Sequence, residues 1–401
     1  MRFKVSKKIY IHVDCDSFFA SCEIFRKPEL KKKYVCVGTE IVVACCYKSK
    51  ALGIKVGTPV WEAKRILKHM GVFLASDIAF YTKISAQIMD FLREETLSVE
   101  IFSIDEAFCE VTGIPEYHKC STEEFAKKLQ NTILKHIGIP VSIGISNTRI
   151  KAKIFSKVNK PYGICIPRDD EIDLFQILRV KEIPFIGKSS QNKLKYKAVF
   201  IKDFLQLGFR ETQKILGKNG ANLWLELMGV DVYILKKSQQ IKSISRTRSF
   251  NKKITFNKEF LWGEFLLNFE RAFEVLYQHN LEIAEVGVMF RNKNFEMEFF
   301  YAKIPQYSNN HKEILDKIGQ LFQKNYQKER LCRSTGIFFH KLRNYLPKQA
   351  SLFDPVLRNK DQNYELTKKI QAINTALGDH KVTFGTSLLG KGEQVVQKLR
   401  T

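Results

Sequence analysis

The hydrophobic pattern opens on a short strand. Ile9-Tyr10-Ile11-His12-Val13 is almost wholly apolar and stops at Asp14-Cys15-Asp16. A helix is predicted from about Phe18 to Phe25. A strand pair follows around Val35-Cys36-Val37 and Ile41-Val42-Val43-Ala44, then a glycine-punctuated segment from Ala51 to Pro59. Ile84, Ile88, Phe91 and Leu92 mark one face of a helix over Ile78 to Leu97. Two apolar runs, Val99 to Phe102 and Ala107 to Val111, flank Ser103-Ile104-Asp105-Glu106. That reads as a β-hairpin with its acids at or near the turn. A helix from about Thr122 to His136 and a strand from Val141 to Ile145 complete the series. Strand, helix, hairpin, helix and strand predict an α+β sheet covered by helices.

Residues 168–235 read as mostly helical, and Lys236 to Gln240 is a plausible linker. From Ser243 to Lys341, strand patterns at Ile283 to Phe290, Phe295 to Tyr301 and Gly336 to Phe339 alternate with two helices. This predicts a second α/β domain, and 401 residues leave room for several. Beyond Asn344 the chain turns polar, then ends in a short helical stretch, Tyr364 to Leu377.

Charge adds a partner class. Sixty-six Lys and Arg against 42 Asp and Glu leave +24, which suits a polyanion such as nucleic acid. A generally lysine-rich proteome explains the same number equally well. No segment approaches the ~20 apolar residues that span a bilayer. The apolar run after the basic Met1 to Lys8 is too short for a signal peptide. Nine cysteines without a CxxC pair suit reduced thiols packed as small apolar residues. The expectation is a cytoplasmic protein without a membrane partner.

The candidate chemistry lies at two strand ends. Asp14 on one side and Asp105 with Glu106 on the other offer hard oxygens that could grip divalent cations for phosphoryl transfer. Taken singly, acids at hairpin turns are commonplace. Asp105 and Glu106 are adjacent and share a metal only if the turn redirects one of them. Farther on, Ile150, Ile154 and Val158 form an apolar stripe, with Lys153, Lys157 and Lys160 on another face. That reads as a helix anchored on one side and basic on the other.

Three segments in register are far more specific. Asp14-Cys15-Asp16-Ser17-Phe18-Phe19-Ala20-Ser21-Cys22-Glu23, Ser103 to Phe108, and Asn159-Lys160-Pro161-Tyr162-Gly163 together resemble the Y-family translesion DNA polymerases, from about Lys8 to Leu342. Val99 to Gly113 and Ala51 to Gly57 look most like the bacterial UmuC branch, whereas Tyr47 looks DinB-like. The resemblance implies an α+β right-hand polymerase. Its palm would be 1–16 and 77–167, small fingers 17–76, helical thumb 168–235, linker 236–242, α/β little finger 243–344 and tail 345–401. It implies low-fidelity, template-directed synthesis on damaged DNA, in an SOS-type response, from primer-template and deoxynucleoside triphosphates.

The implied site follows residue by residue. Asp14, Asp105 and Glu106, with the backbone carbonyl of Cys15, would hold two Mg²⁺ ions, and Mn²⁺ would serve the same oxygens. Asp16 would support them. Phe19 would be the steric gate against a 2′-hydroxyl; without the register from Asp14 the residues do not choose between Phe18 and Phe19. Tyr47, Lys50 and Lys160 would contact the triphosphate. Ile183 to Lys188 resembles a helix-hairpin-helix turn without the usual glycine at Phe185, and Gly187 and Lys188 would meet a DNA phosphate. Arg246 and Arg248, on one face of a strand, would track the duplex. Gln349-Ala350-Ser351-Leu352-Phe353 resembles a sliding-clamp-binding peptide through Gln349, Leu352 and Phe353. A UmuD-like accessory subunit is a further implied partner, and the tail after Phe353 is short for one. The alternatives are a non-catalytic DNA- and clamp-binding scaffold with this fold, or another palm-type nucleotidyl transferase.

Overall fold

The computed structural model describes residues 5–167, 171–235, 240–250 and 254–345, with Lys369 and Ile373. The chain divides into two compact units, 1–239 and 240–401. The proposed clamp peptide at Gln349, Leu352 and Phe353, and nearly all of the predicted Tyr364 to Leu377 helix, lie outside the described residues. Among those residues no helix is long and apolar enough to cross a membrane.

The first unit begins with β1 (Tyr10–Cys15) and α1 (Phe18–Arg26), then β2 (Tyr34–Val37), β3 (Ala44–Cys45), α2 (Tyr47–Ala51), α3 (Val60–Leu67) and β4 (Gly71–Leu74). Next come α4 (Ile78–Glu95), β5 (Ser98–Ile101), β6 (Glu106–Glu110), α5 (Ile114–Tyr117), α6 (Thr122–Ile137), β7 (Val141–Ser146), α7 (Arg149–Phe155) and β8 (Ile164–Cys165). Four helices follow: α8 (Glu171–Ile177), α9 (Lys188–Leu194), α10 (Ile201–Gln206) and α11 (Gly208–Leu227), the last kinked at Gly217.

Five strands form one sheet in the order β5-β6-β1-β7-β8, so β1 is central. Both of its faces are covered, and only Asp14 of its six residues is not fully buried. Ile11 and Val13 join Ile84, Ile88 and Leu92 of α4 and Phe125, Leu129 and Ile133 of α6 in one core. Burying such side chains contributes about 1.5–3 kcal/mol each. On the other face α7 lies unusually close to β7. A Cβ at Gly144 would sit 2.0 Å from the Ala152 carbonyl oxygen and 2.2 Å from the Ser156 nitrogen. Only glycine admits that approach.

The expected Ile41 to Ala44 strand shrinks to Ala44–Cys45, while Ile41 bridges Pro59. The chain curls at Gly38 (φ 133), where a Cβ would lie 1.9 Å from the Ile41 carbonyl oxygen. The small sheet there runs β3-β2-β4.

The second unit carries β9 (Ile244–Ser249), α12 (Lys258–Gln278), β10 (Leu281–Asn292), β11 (Met297–Ser308), α13 (His311–Asn325) and β12 (Cys332–Asn344). Its sheet runs β11-β10-β12-β9. Both helices pack on one face, with Phe265, Phe269 and Phe273 of α12 and Ile314 and Ile318 of α13 against Val286, Val288 and Ile337.

Candidate active site

The register of β1 builds the site. Asp14 is the direct cross-strand partner of Glu106 on β6 and of Ser142 on β7. Like charges placed opposite one another are unfavourable, and two lysines answer them. Lys160 pairs with Asp14, and Lys153 pairs with Glu106. Asp105 sits at the turn. Its backbone carbonyl accepts from the Cys15 N–H at 2.8 Å, which ties the hairpin to the end of β1. Its carboxylate takes the Ser103 hydroxyl.

Sequence reasoning did not single out His12, which completes the cluster. Atoms of His12, Asp14 and Glu106 that could ligate a metal lie within 4.8 Å of one another. His12 is fully buried, and its Nδ1 is 2.8 Å from Ser156 Oγ. Ser156 Oγ donates to the Lys153 carbonyl at 2.9 Å, so the imidazole proton belongs on Nδ1. Nε2 then faces Glu106 Oε2 at 3.2 Å without an aligned hydrogen bond. The available signal was strand periodicity, since His12 shares a face with Asp14 two residues on.

Electrostatics separate the three groups. Burial drives the His12 pKa down to about 4, so the ring is neutral near pH 7. Burial alone would raise Glu106, but the His12 imidazole, protonated at the low pH where Glu106 titrates, and the Lys153 ammonium outweigh it and bring its pKa down to about 2. Burial raises Asp14 against the pull of Lys160. Lys153 is lowered by burial, against the pull of Glu106.

The helix bearing Lys153 departs from expectation. α7 ends at Phe155, short of Lys157 and Lys160, and every one of its residues is buried. Its Ile150 and Ile154 join a core with Leu223 and Leu227 of α11. Lys153 therefore projects onto Glu106 and over the Phe102 ring, 4.2 Å from its centroid, rather than into solvent.

Asp16 is a hub rather than a neighbour of Glu106. It is 1% exposed. It accepts from Tyr47 Oη (3.0 Å), Ser142 Oγ (3.0 Å) and the Tyr162 N–H (2.7 Å), with Lys160 Nζ at 3.6 Å. Tyr47 and Lys50 sit one turn apart on α2, the ammonium 4.3 Å from the ring centroid. The two phenylalanines diverge: Phe18 is buried in the core, while Phe19 is partly exposed and stacks on Tyr81 at 4.4 Å.

Two other expected sites change character. Phe185 keeps the backbone a glycine would adopt (φ 68) and is 59% exposed, with its ring 5.8 Å from that of Phe102. Gly187 precedes Lys188, the first residue of α9. Arg246 and Arg248 do share a face, but it is the face of buried Ile244, turned toward α12. Arg248 is paired there with Glu264 at 3.1 Å. The reason is parity: Ile244 must enter the core, and residues two and four positions on follow it.

Comparison with known proteins follows the same outline. Residues 13–157 match the impB/mucB/samB family, and residues 241–352 match the C-terminal domain of that family. The DNA polymerase IV of Fusobacterium nucleatum is 29% identical over 341 residues, 83% of this chain and 95% of the relative. That of Ureaplasma parvum serovar 3 is 26% identical over 87% of this chain and 99% of the relative. That of Dehalococcoides mccartyi is 30% identical over 76% of this chain and 79% of the relative. Among solved structures, the Y-family DNA polymerase chimera Dbh-Dpo4(243-245)-Dbh superposes with a TM-score of 0.71 at 24% identity, over 84% of this chain and 100% of that one. DinB from Sulfolobus solfataricus does so with a TM-score of 0.55 at 24% identity, over 83% and 98%.

Proposed function

Because the chain belongs to the impB/mucB/samB family of Y-family DNA polymerases, we propose that it extends a primer across damaged template through Asp14, Asp105 and Glu106. It is a DNA-directed DNA polymerase of the translesion class, with an α+β polymerase fold. The observation that carries the site assignment is the cross-strand pairing of Asp14 with Glu106. This donor set of hard oxygens fits Mg²⁺ or Mn²⁺, on which the family depends.

Two such ions, when bound, would acidify the primer 3′-hydroxyl and screen the pyrophosphate. Asp14 and Glu106 would hold them, with Asp105 and the Cys15 carbonyl as further ligands. The ammonium of Lys160, which neutralises Asp14, would serve the triphosphate. Tyr47, anchored by Asp16, and Lys50 beside it would complete that contact. Phe19, braced by Tyr81, would lie under the deoxyribose and exclude a 2′-hydroxyl.

The domain roles are part of this reading: palm 1–16 and 77–167, fingers 17–76, thumb 168–235, little finger 243–344. Gly187, Lys188, Arg246 and Arg248 would meet the duplex. For Arg248 that means leaving Glu264. Gln349, Leu352 and Phe353 would bind a sliding clamp, and a UmuD-like subunit is a further partner to test. Primer extension past an abasic site is the experiment. Activity lost in Asp105→Ala and Glu106→Ala supports the reading, and activity surviving both contradicts the metal assignment.

A further inference from the structure

The paired carboxylates leave one ligand atom beside them unused. His12 is fully buried, and its ring packs on Phe108 with centroids 4.6 Å apart. Its Nδ1 proton is committed to Ser156, which is fixed in turn by the Lys153 carbonyl. Nε2 therefore turns a lone pair toward Glu106 Oε2, 3.2 Å away. Lys153 serves that carboxylate, yet no donor among the described residues reaches Nε2. A buried lone pair set beside an anion calls for a cation between them.

The surroundings have the parts of a histidine–carboxylate metal site. In such sites the ligating imidazole gives its other ring N–H to a fixed acceptor, which sets the tautomer and the plane of the ring. Ser156 is that acceptor here. The ligand atoms offered by His12, Asp14 and Glu106 all lie within 4.8 Å of one another. Ligands about 2.1 Å from a tetrahedral zinc lie ~3.4 Å apart, and the 3.2 Å edge from Nε2 to Glu106 already has about that length. That oxygen is close to Nε2 but not aligned for a hydrogen bond, as two ligands of one ion are. The register holds Asp14 directly opposite Glu106, so the third corner is within reach of a side-chain rotation.

The donor set selects the ion. Mg²⁺ is hard, keeps its water and prefers oxygen. Zn²⁺ accepts imidazole nitrogen and carboxylate oxygen alike, and is satisfied by three protein ligands with one position open. The nitrogen therefore adds affinity for zinc and none for magnesium.

We propose that His12, Asp14 and Glu106 form a Zn²⁺ site, with His12 Nε2 as its nitrogen ligand. Asp105 is not part of it. Zinc bound there would displace Lys153 and Lys160 and deny Asp14 and Glu106 to Mg²⁺. The binding stands without the polymerase reading; only its consequence, a block on primer extension, rests on that reading.

The test uses the metal-free full chain, with Zn²⁺ and Mg²⁺ as the probes. Competition with a chromophoric chelator reads Zn²⁺ affinity, and calorimetry reads Mg²⁺ affinity. His12→Phe and His12→Gln should each weaken Zn²⁺ by about tenfold or more and change Mg²⁺ by less than about twofold. A purely structural role for His12 would weaken both ions together, and that result would overturn the proposal. Unchanged Zn²⁺ affinity in His12→Phe would overturn it too, and would send the zinc to the thiols. Crystals of the parent soaked in Zn²⁺ alone need no variant. Their anomalous peak at the zinc edge should bridge Nε2, Asp14 and Glu106. A peak that leaves out Nε2 would overturn the proposal even where both variants fail to fold. Primer extension by the parent is run alongside. Extension that Zn²⁺ stops and added Mg²⁺ restores supports the block. No extension in Mg²⁺, with zinc still found at this site, would fail the polymerase reading and keep the zinc site.

Discussion

Asp14 and Glu106 face one another across the β1–β6 pair, and each is held by its own lysine, Lys160 on the first and Lys153 on the second. Two carboxylates in direct cross-strand register repel, so the fold needs positive charge there. The ammonium groups supply it here, and divalent cations would supply it in catalysis. The sheet, the close seat of α7 on Gly144 and the Lys160 loop converge on that one requirement.

Lys153→Met leaves Glu106 half-enclosed beside Asp14 without its cation. The expected loss is about 3 kcal/mol of folding stability in the absence of divalent ions, and less in millimolar Mg²⁺. Urea melts with and without Mg²⁺ check it. An equal loss in both would mean that Lys153 and the metal do not serve the same carboxylate.

Asp16 holds together three segments through Tyr47, Ser142 and Tyr162. Asp16→Ala strands buried donors and should cost about 2–4 kcal/mol. Tyr47→Phe removes one exchangeable bond and should cost about 1 kcal/mol. In steady-state kinetics Tyr47→Phe should raise KM for the nucleotide more than it lowers kcat. A change in kcat alone would detach Tyr47 from the triphosphate.

Phe19→Ala opens the space beside Tyr81. Ribonucleotide incorporation should rise by about tenfold or more relative to deoxynucleotides. Phe18→Ala should instead destabilise the core by about 3–5 kcal/mol. Single-nucleotide insertion assays and melting curves separate the two. Unchanged sugar selectivity in Phe19→Ala argues against its gate role.

Glu264 in the second unit gives a pH prediction. It is buried, with one oxygen on Arg248 and the other without a partner. Burial lifts its pKa to about 7 from 4.5, against the pull of Arg248 and Arg271. A carboxyl whose folded pKa exceeds its unfolded one binds its proton more tightly when folded. Its contribution is complete below pH 4.5 and is lost as pH rises through about 7. The loss is on the order of 3 kcal/mol. Glu264→Gln should remove that slope in urea melts between pH 5 and 8, and an unchanged slope would contradict the assignment.

Much of this was legible in the sequence because it is local. β1 and the acidic hairpin announce themselves by apolar runs that stop at acids, and α4 by its stripe. The facing of Asp14 and Glu106 is a register between residues 92 apart, which no local pattern encodes. Lys153 misleads because periodicity tells which residues share a face, not what covers it. Gly144 on one side and α11 on the other enclose both faces of α7. Arg246 and Arg248 show the same limit: alternation put them on one face, but it did not tell that α12 lies over that face and gives Arg248 a partner in Glu264. Ile244, two residues before Arg246, was the readable clue.

The central claim is that Asp14, Asp105 and Glu106 jointly hold the catalytic cations. Its most direct test is anomalous diffraction from crystals of the protein with primer-template DNA, an unreactive incoming nucleotide and Mn²⁺. The account predicts two anomalous peaks bridged by these carboxylates, with Lys153 and Lys160 drawn away from them. Peaks lying elsewhere, with both lysines still paired to Glu106 and Asp14, would contradict it.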